Sequence, residues 1–269
     1  MTDFLARREH FTFVGSTNDV VRDWLANGVP EVCLASADEQ TAGRGRDGRA
    51  WLSPPRVALL LSLGYRPTWL TPERAWQLAA TVSMAMANAA EDVAGLTPGS
   101  IRLKWPNDLV TEGSDGVRKV AGVLGESDGL GTDDPRVVIG IGVNADWPAD
   151  AFPSDLAASM TSLRALSAAP QIDHHALLEA FLVRLEHEIR ALRRGRFDVA
   201  AWADRQVTTG RLIELIGSDG AVTTTRAEGV DPASGALIVA DDAAADGRRT
   251  VVVGEIRHVR LPAVASAGV

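Results

Sequence analysis

Lysine is nearly absent from this chain of 269 residues. Of its 27 basic residues only Lys104 and Lys119 are lysines, and the other 25 are arginines. Such a preference for arginine indicates that these two positions need a compact ammonium group with three rotatable donors, which a planar guanidinium cannot supply. Chance is the alternative, since two lysines must fall somewhere.

Cysteine and long apolar runs are also scarce. Cys33 is the single cysteine, which excludes an internal disulfide framework and is typical of a reducing compartment. Its apolar surroundings, residues 32–35, predict a buried strand position. The first ten residues lack the apolar segment of a signal peptide, and no apolar run approaches the roughly 20 residues that a membrane span requires. We therefore expect a cytoplasmic protein without a membrane partner.

The charge balance is acidic, with a net charge of −8 and a pI near 5.2. That balance argues against a nucleic-acid-binding surface, so no DNA partner is expected. The composition, 46% hydrophobic and 23% charged, is that of a globular chain with one large core, or with a core and a small satellite. The five histidines show no ligand spacing with Cys33 or with one another, so no zinc site is predicted.

Arginine and glycine are concentrated in one stretch, residues 43–49, which holds three of each. Glycine lets successive backbone N–H groups form a concave anion-binding nest, and each arginine can grip a phosphate or carboxylate through two parallel hydrogen bonds. The alternative is a solvated basic loop or a hairpin turn. The spacing of a P-loop occurs nowhere in the chain.

The pattern of apolar residues predicts strands at 31–37 and 57–64 on either side of this loop, and a helix over 73–93. Further strands are predicted at 101–104, 117–126 and 136–145, and a helix over 174–194. Lys104, Lys119 and Asn144 would then lie on neighbouring strands and converge on one pocket. Ser16, Thr17 and Asn18 offer side chains that can cap a helix.

Near residue 207 the pattern of apolar residues changes to that of short strands separated by turn residues. This pattern predicts a separate small β-barrel. We therefore expect two domains, residues 1–206 and 207–269. The segment 147–172 is rich in Pro, Ala and Ser, and its structure is not predicted.

Five motifs in fixed order closely resemble those of biotin protein ligases, and several motifs in order are far more specific than any one alone. They are S-T-N at 16–18, Q-T-A-G-R-G-R-D-G-R-A-W at 40–51, K-W-P-N-D-L at 104–109, K-V-A-G-V-L-G-E at 119–126 and G-I-G-V-N at 140–144.

The resemblance implies an α+β fold. It consists of a catalytic domain with a mixed β-sheet and flanking helices, similar to class II aminoacyl-tRNA synthetases, and a small C-terminal SH3-like β-barrel. It also implies a form without the N-terminal DNA-binding domain of members that repress transcription.

The activity implied is formation of biotinyl-5′-adenylate from biotin and ATP with Mg²⁺, followed by transfer of biotin to one lysine of a biotin carboxyl carrier domain. We expect a monomer or a weak homodimer. Two alternatives stay open: a lipoate or octanoate ligase of the same fold, and a non-catalytic biotin-sensing protein.

The resemblance also implies residue roles. Lys119 and Arg46 are the expected catalytic residues, Asn107 and Asp108 orient Lys104 or hold the magnesium, and Glu126 is a weaker candidate. Biotin contacts are expected from Ser16, Thr17, Asn18, Gln40, Gly43, Arg44, Lys119 and Gly122. Contacts to ATP or the adenylate are expected from Arg44, Gly45, Arg46, Arg49, Trp51, Lys104, Asn107, Asp108 and Asn144. Asp47 departs from the family pattern and is expected to occupy one arginine of the loop.

Overall fold

The chain is organised around a seven-stranded mixed sheet. The computed structural model describes residues 4–114, 116–217 and 219–252, and the backbone alone of 256–260. The sheet has the order β1-β2-β3-β7-β6-β5-β4; β1 and β2 are parallel, and every other pair is antiparallel. Its strands are β1 (Arg7–Phe11), β2 (Cys33–Ala37), β3 (Ala58–Tyr65), β4 (Ile101–Lys104), β5 (Asp108–Gly113), β6 (Gly116–Asp128) and β7 (Arg136–Asn144).

Helices cover both faces of this sheet. The helices are α1 (Thr17–Ala26), α2 (Trp76–Ala94), α3 (Leu163–Leu166), α4 (His174–Arg193) and α5 (Val199–Asp204). Because successive strand residues point to opposite faces, Cys33 packs against α1, whereas its neighbour Leu34 packs in the core built with α2 and α4. Cys33 is buried, as predicted. In the described parts of the chain, none of the helices has the length and apolar character needed to cross a membrane.

A second sheet follows in the C-terminal part of the chain. Its strands are β8 (Leu212–Gly217), β9 (Val222–Val230), β10 (Leu237–Ala240), β11 (Arg248–Val251) and β12 (Ile256–Arg260). The order is β11-β10-β9-β8-β12, antiparallel throughout. The predicted α+β fold class is therefore confirmed, and the second sheet is consistent with an SH3-like unit. The sequence predicts the last two strands at residues 248–253 and 256–261, and their predicted ends, Val253 and Leu261, lie outside the described residues.

Three features differ from the sequence-based expectation. Strand β5 was not predicted, so β4 and β6 are separated by one strand and are not neighbours. Helix α5 was also missed. Ser16 occupies the N-cap position of α1, but its side chain makes no capping hydrogen bond. The S-T-N motif is therefore not explained by helix capping.

Trp105 connects the two sheets. It lies in the turn between β4 and β5, is 2% exposed, and packs with Ile213 and Leu237 in the core of the second sheet. Its indole Nε1 donates to the Gly235 carbonyl at 3.0 Å, and its backbone N–H donates to Thr208 Oγ1 at 3.1 Å. A side chain of the first sheet thus completes the second core.

The linker between the sheets is held by a buried ion pair. Arg205 Nη2 lies 2.6 Å from Glu91 Oε2, and the two residues are 8% and 2% exposed. Glu91 also accepts the Ile101 backbone N–H at 2.8 Å, and Leu103 exchanges backbone hydrogen bonds with Arg205 and Val207. The linker therefore covers the outer edge of β4.

We predict that Arg205→Ala strongly destabilises the fold. Removal of one partner from a buried pair leaves the other charge unpaired, which costs about 3–5 kcal/mol. The matched control is Arg184→Ala, which removes an exposed arginine paired with Asp92 and should cost less than about 1 kcal/mol. Denaturant unfolding at neutral pH measures both values, and equal losses would contradict the prediction.

Candidate active site

A cavity of about 400 Å³ lies on the face of the first sheet that carries α1. Fifteen of the sixteen predicted site residues line it: Ser16, Thr17, Asn18, Gln40, Arg44, Gly45, Arg46, Arg49, Trp51, Lys104, Asn107, Asp108, Lys119, Gly122 and Asn144. The exception is Gly43. Its carbonyl accepts the Trp51 backbone N–H at 2.9 Å, and a Cβ there would meet the Trp51 carbonyl at 2.5 Å. Gly43 therefore shapes the loop and does not line the cavity.

One end of the cavity is lined by uncharged polar side chains, whose hydrogen-bond network ends on the carboxylate of Glu126. The Thr17 backbone N–H and hydroxyl donate to Gln40 Oε1 at 2.7 and 2.9 Å. Ser62 Oγ lies 2.7 Å from the Thr17 hydroxyl and donates to Asn18 Oδ1 at 2.6 Å, and Asn18 Nδ2 donates to Glu126 at 2.6 Å. Ser62 was missed by sequence reasoning. The available signal was a serine within the otherwise apolar run of residues 58–64.

Two glycines of the G-I-G-V-N motif make room for this arrangement. Gly140 and Gly142 line the cavity, while Val143, which follows them, packs in the core. A Cβ on Gly140 would overlap Asn18, and one on Gly142 would overlap the indole of Trp51. Glycine in a strand often marks such a close approach.

The arginine-rich stretch is a short hairpin, which we call the arginine hairpin (residues 43–51). Gly45 N–H donates to the Arg49 carbonyl at 2.7 Å, and the turn places Asp47 in the left-handed region at φ 57°. Asp47 lies 3.6 Å from Arg49, so its expected pairing with an arginine of the loop is confirmed. Burial lowers the pKa of Arg46, and an anion bound beside it would reverse that shift.

A β-bulge turns Lys119 toward the cavity. Leu109 pairs with Ala121 but the next residue, Val110, pairs with Lys119, so Val120 is the extra residue. Val120 and Ala121 both face the core. Because one inserted residue reverses the alternation, Lys119 lies on the same face as Gly122, where a Cβ would come within 3.0 Å of Nζ.

Asp108 lies between the two lysines. Its Oδ1 is 2.6 Å from Lys119 Nζ, and its Oδ2 is 4.0 Å from Lys104 Nζ. The K-W-P-N-D motif is the hairpin between β4 and β5, in which Lys104 and Asp108 are cross-strand partners. Asn107 donates through Nδ2 to the Val123 carbonyl at 2.7 Å and so fastens this turn to β6. The predicted convergence of both lysines with Asn144 is confirmed by the cavity lining, although β5 intervenes.

The segment 153–161, for which the sequence predicted no structure, forms one wall of the cavity. Lys119 donates its backbone N–H to the Ser159 carbonyl at 2.8 Å and accepts from Thr161 N–H at 2.9 Å. Asn144 Nδ2 donates to the Thr161 carbonyl at 3.0 Å. Leu156 and Met160 of this segment line the cavity. Nothing in its composition indicated that role.

Trp51, at the end of the arginine hairpin, packs its indole against the sheet. Lys119 Nζ lies 5.2 Å from the centroid of its ring. The indole Nε1 is buried without a hydrogen-bond partner among the described residues. A buried N–H of this kind is costly unless an acceptor satisfies it.

The cavity suits a ligand that has one neutral polar end and one anionic end. The polar network suits the first end, and the lysines and the arginine hairpin suit the second. Among residues 4–114, 116–217 and 219–252, no three His, Cys, Asp or Glu side chains are grouped so as to hold a metal ion.

Comparisons with known proteins agree with this description. Residues 10–144 match the model of the biotin/lipoate A/B protein ligase family. The biotin–[acetyl-CoA-carboxylase] ligase of Mycobacterium tuberculosis is 31% identical over 251 residues, 91% of this chain and 86% of that protein. The bifunctional ligase/repressor BirA of Bacillus spizizenii is 32% identical over 66% of this chain and 52% of that protein, so the chain spans about half the length of that relative.

The fold is also found among solved structures. The biotin protein ligase from Aquifex aeolicus, in complex with biotin and ATP, superposes with a TM-score of 0.76 at 23% identity, over 95% of this chain and 99% of that one. That likeness shows a shared fold. The family match over residues 10–144 and the relative from Mycobacterium tuberculosis establish that this chain belongs to the biotin/lipoate A/B protein ligase family.

We predict that Gly142→Ala loosens the arginine hairpin, because the new methyl group would displace Trp51 from the sheet. Overpacking of this kind costs about 1–3 kcal/mol, which corresponds to a roughly 5- to 150-fold rise in the open population. Trypsin cleavage after Arg46 and Arg49 reports that rise. Gly125→Ala is the matched control, since its Cβ would meet Ile139 at an ordinary 3.5 Å. Equal cleavage of the two variants would contradict the prediction.

Proposed function

We propose that this protein is an ATP-dependent biotin protein ligase that forms biotinyl-5′-adenylate and transfers biotin to a lysine of a biotin carboxyl carrier domain. The observation that carries the proposal is the position of Lys119. Its Nζ is paired with Asp108 at 2.6 Å, and Lys119 lines the same cavity as the uncharged polar network and the arginine hairpin.

The neutral polar end suits the biotin ring. A ureido group needs donors and acceptors without net charge, and Ser16, Thr17, Asn18 and Gln40 offer hydroxyl and amide groups at that end. The biotin tail would then extend from the polar network toward Lys119. Trp51 Nε1, which is buried without a partner among the described residues, could donate to an acceptor of the adenylate.

The first reaction joins two anions. A carboxylate oxygen of biotin attacks the α-phosphorus of ATP, the bond from that phosphorus to the bridging oxygen breaks, and pyrophosphate leaves with the electron pair. Lys119 would hold the carboxylate and the α-phosphate together and stabilise the charge that develops on the phosphate. Arg46 and Arg49 would bind phosphate oxygens from the hairpin side.

In the second reaction, an uncharged carrier lysine attacks the acyl carbon of the mixed anhydride. The bond from that carbon to the phosphate oxygen breaks, AMP leaves, and the amine loses its proton as the amide forms. The hairpin would keep water from the anhydride until the carrier arrives.

Magnesium is proposed to enter with ATP. The residues present fit that role, because Mg²⁺ is commonly bound by one or two carboxylates together with substrate phosphates. Asp108 would provide the carboxylate, with Asn107 beside it. The ion would shield phosphate charge when bound.

The C-terminal unit, residues 207–269, is proposed to support the site as well as to form a separate domain. Trp105 lines the cavity and also packs in the core of the second sheet. Because Trp105 immediately follows Lys104 and shares a turn with Asp108, packing of the second sheet would position both charged groups.

The decisive experiment is pyrophosphate exchange with the purified protein, ATP and Mg²⁺, using biotin, lipoate or octanoate as the acid. We expect exchange with biotin and little with the other two. Preference for lipoate or octanoate would identify the alternative ligase activity. Biotin binding without exchange would identify a sensing protein. Biotin-dependent labelling of a carrier domain, detected with streptavidin, tests the transfer step.

We predict that Lys119→Ala lowers adenylate formation about 100- to 1,000-fold, the loss typical of one electrostatic group at a transition state. Biotin binding should be largely retained, because the ring is held at the other end of the cavity. Lys119→Arg should not restore the rate, since a planar fork cannot replace a point charge. Arg118→Ala removes the neighbouring charge on β6 and serves as the control, and near wild-type turnover by Lys119→Ala would exclude this lysine from catalysis.

A further inference from the structure

Asp19 joins the arginine hairpin to helix α1 beside the cavity. It follows Asn18 on α1, and its carboxylate accepts two hydrogen bonds from Arg44, Nη1 to Oδ2 at 2.8 Å and Nη2 to Oδ1 at 2.5 Å. Arg44 belongs to the hairpin and lines the cavity. Its side chain therefore reaches from the hairpin to the helix that carries the neutral polar end.

The Asp19 carboxylate is itself held in place. Arg22, one turn further along α1, donates to Asp19 Oδ1 at 2.5 Å and to Glu126 Oε2 at 2.8 Å. Glu126 also accepts from Asn18 at 2.6 Å. The four side chains Arg44, Asp19, Arg22 and Glu126 alternate in charge, so the hairpin meets a preorganised partner.

We propose that the Arg44–Asp19 pair is a latch that holds the arginine hairpin across the cavity, and that Asp19 is a positioning residue that sets how fast a small ligand enters and leaves. The proposal rests on the proposed function only for the choice of biotin as the ligand. It assigns to Asp19 a role that none of the sequence motifs indicated.

The charges of the pair favour a latch that is formed at neutral pH. Hydrogen bonds from Arg44 are the largest cause that lowers the pKa of Asp19, and the same pair raises the pKa of Arg44. Both residues therefore stay charged where the protein would work. Because the side chains are 43% and 35% exposed, the pair is also weak enough to open.

Hydrogen exchange tests the latch without reference to activity. The Gly45 and Trp51 amides are bonded within the hairpin, so their exchange reports its opening. We expect Asp19→Ala and Asp19→Asn to accelerate that exchange about three- to tenfold, the range expected for loss of a bidentate, half-exposed ion pair. Asp92→Ala, which breaks the Asp92–Arg184 pair between α2 and α4, is the matched control and should change nothing in the hairpin.

A double-mutant comparison separates the latch from damage to α1. In an Arg44→Ala background, Asp19→Ala should add no further exchange, because the partner is already missing. Unchanged exchange in Asp19→Ala, or an equal increase in the Arg44→Ala background, would overturn the proposal.

Biotin-binding kinetics supply the second measurement. Release of a latch should raise the association and dissociation rate constants together, leaving the Kd within about twofold, whereas damage to the site would raise dissociation alone. Slower dissociation with tighter binding would show that Asp19 competes with the ligand for Arg44, which would refute the latch. If the wild-type protein bound no biotin, the proposed function would fail, while the exchange experiment would still decide the role of Asp19.

Discussion

The cavity depends on side chains that are missing from one face of the central sheet. Gly122, Gly140 and Gly142 leave the backbone of β6 and β7 uncovered there, and Asn18 and Trp51 approach that backbone directly. Any larger residue at 140 or 142 would overlap them. The glycines therefore let Asn18 and Trp51, which both line the cavity, pack directly against the sheet.

In the same region, several cationic side chains are each paired with a nearby carboxylate. Lys119 is paired with Asp108, Arg44 with Asp19 and Arg49 with Asp47. An acidic chain can thus concentrate positive charge in one cavity without leaving it unpaired in a partly buried place. An anionic ligand would enter a site whose cations are already oriented, which is the arrangement that favours electrostatic catalysis.

The two sheets are connected by side-chain contacts that their sequence patterns do not predict. Trp105 completes the core of the second sheet from a turn of the first, and the buried Arg205–Glu91 pair fixes the segment between them. The same turn carries Lys104 and Asp108, so the geometry of the charged end of the cavity is coupled to packing some distance from it. The strand pattern changes at residue 206, but contacts between the two parts of the chain cross that position.

The sequence by itself determined the fold class, most helix and strand positions, and the set of motif residues that line the cavity. It did so because hydrophobic periodicity and short motifs are local properties. Features that depend on contacts between distant segments were decided only by the tertiary structure. The β-bulge at Val120 turns Lys119 toward the cavity, strand β5 separates the two lysines, and the segment 153–161 becomes a wall. Asp19 gained its partner in the same way, because the Arg44 guanidinium reaches it only when the hairpin lies beside α1. Each of these outcomes follows from strand register or from side-chain packing. The spacing of residues along the chain encodes neither register nor packing.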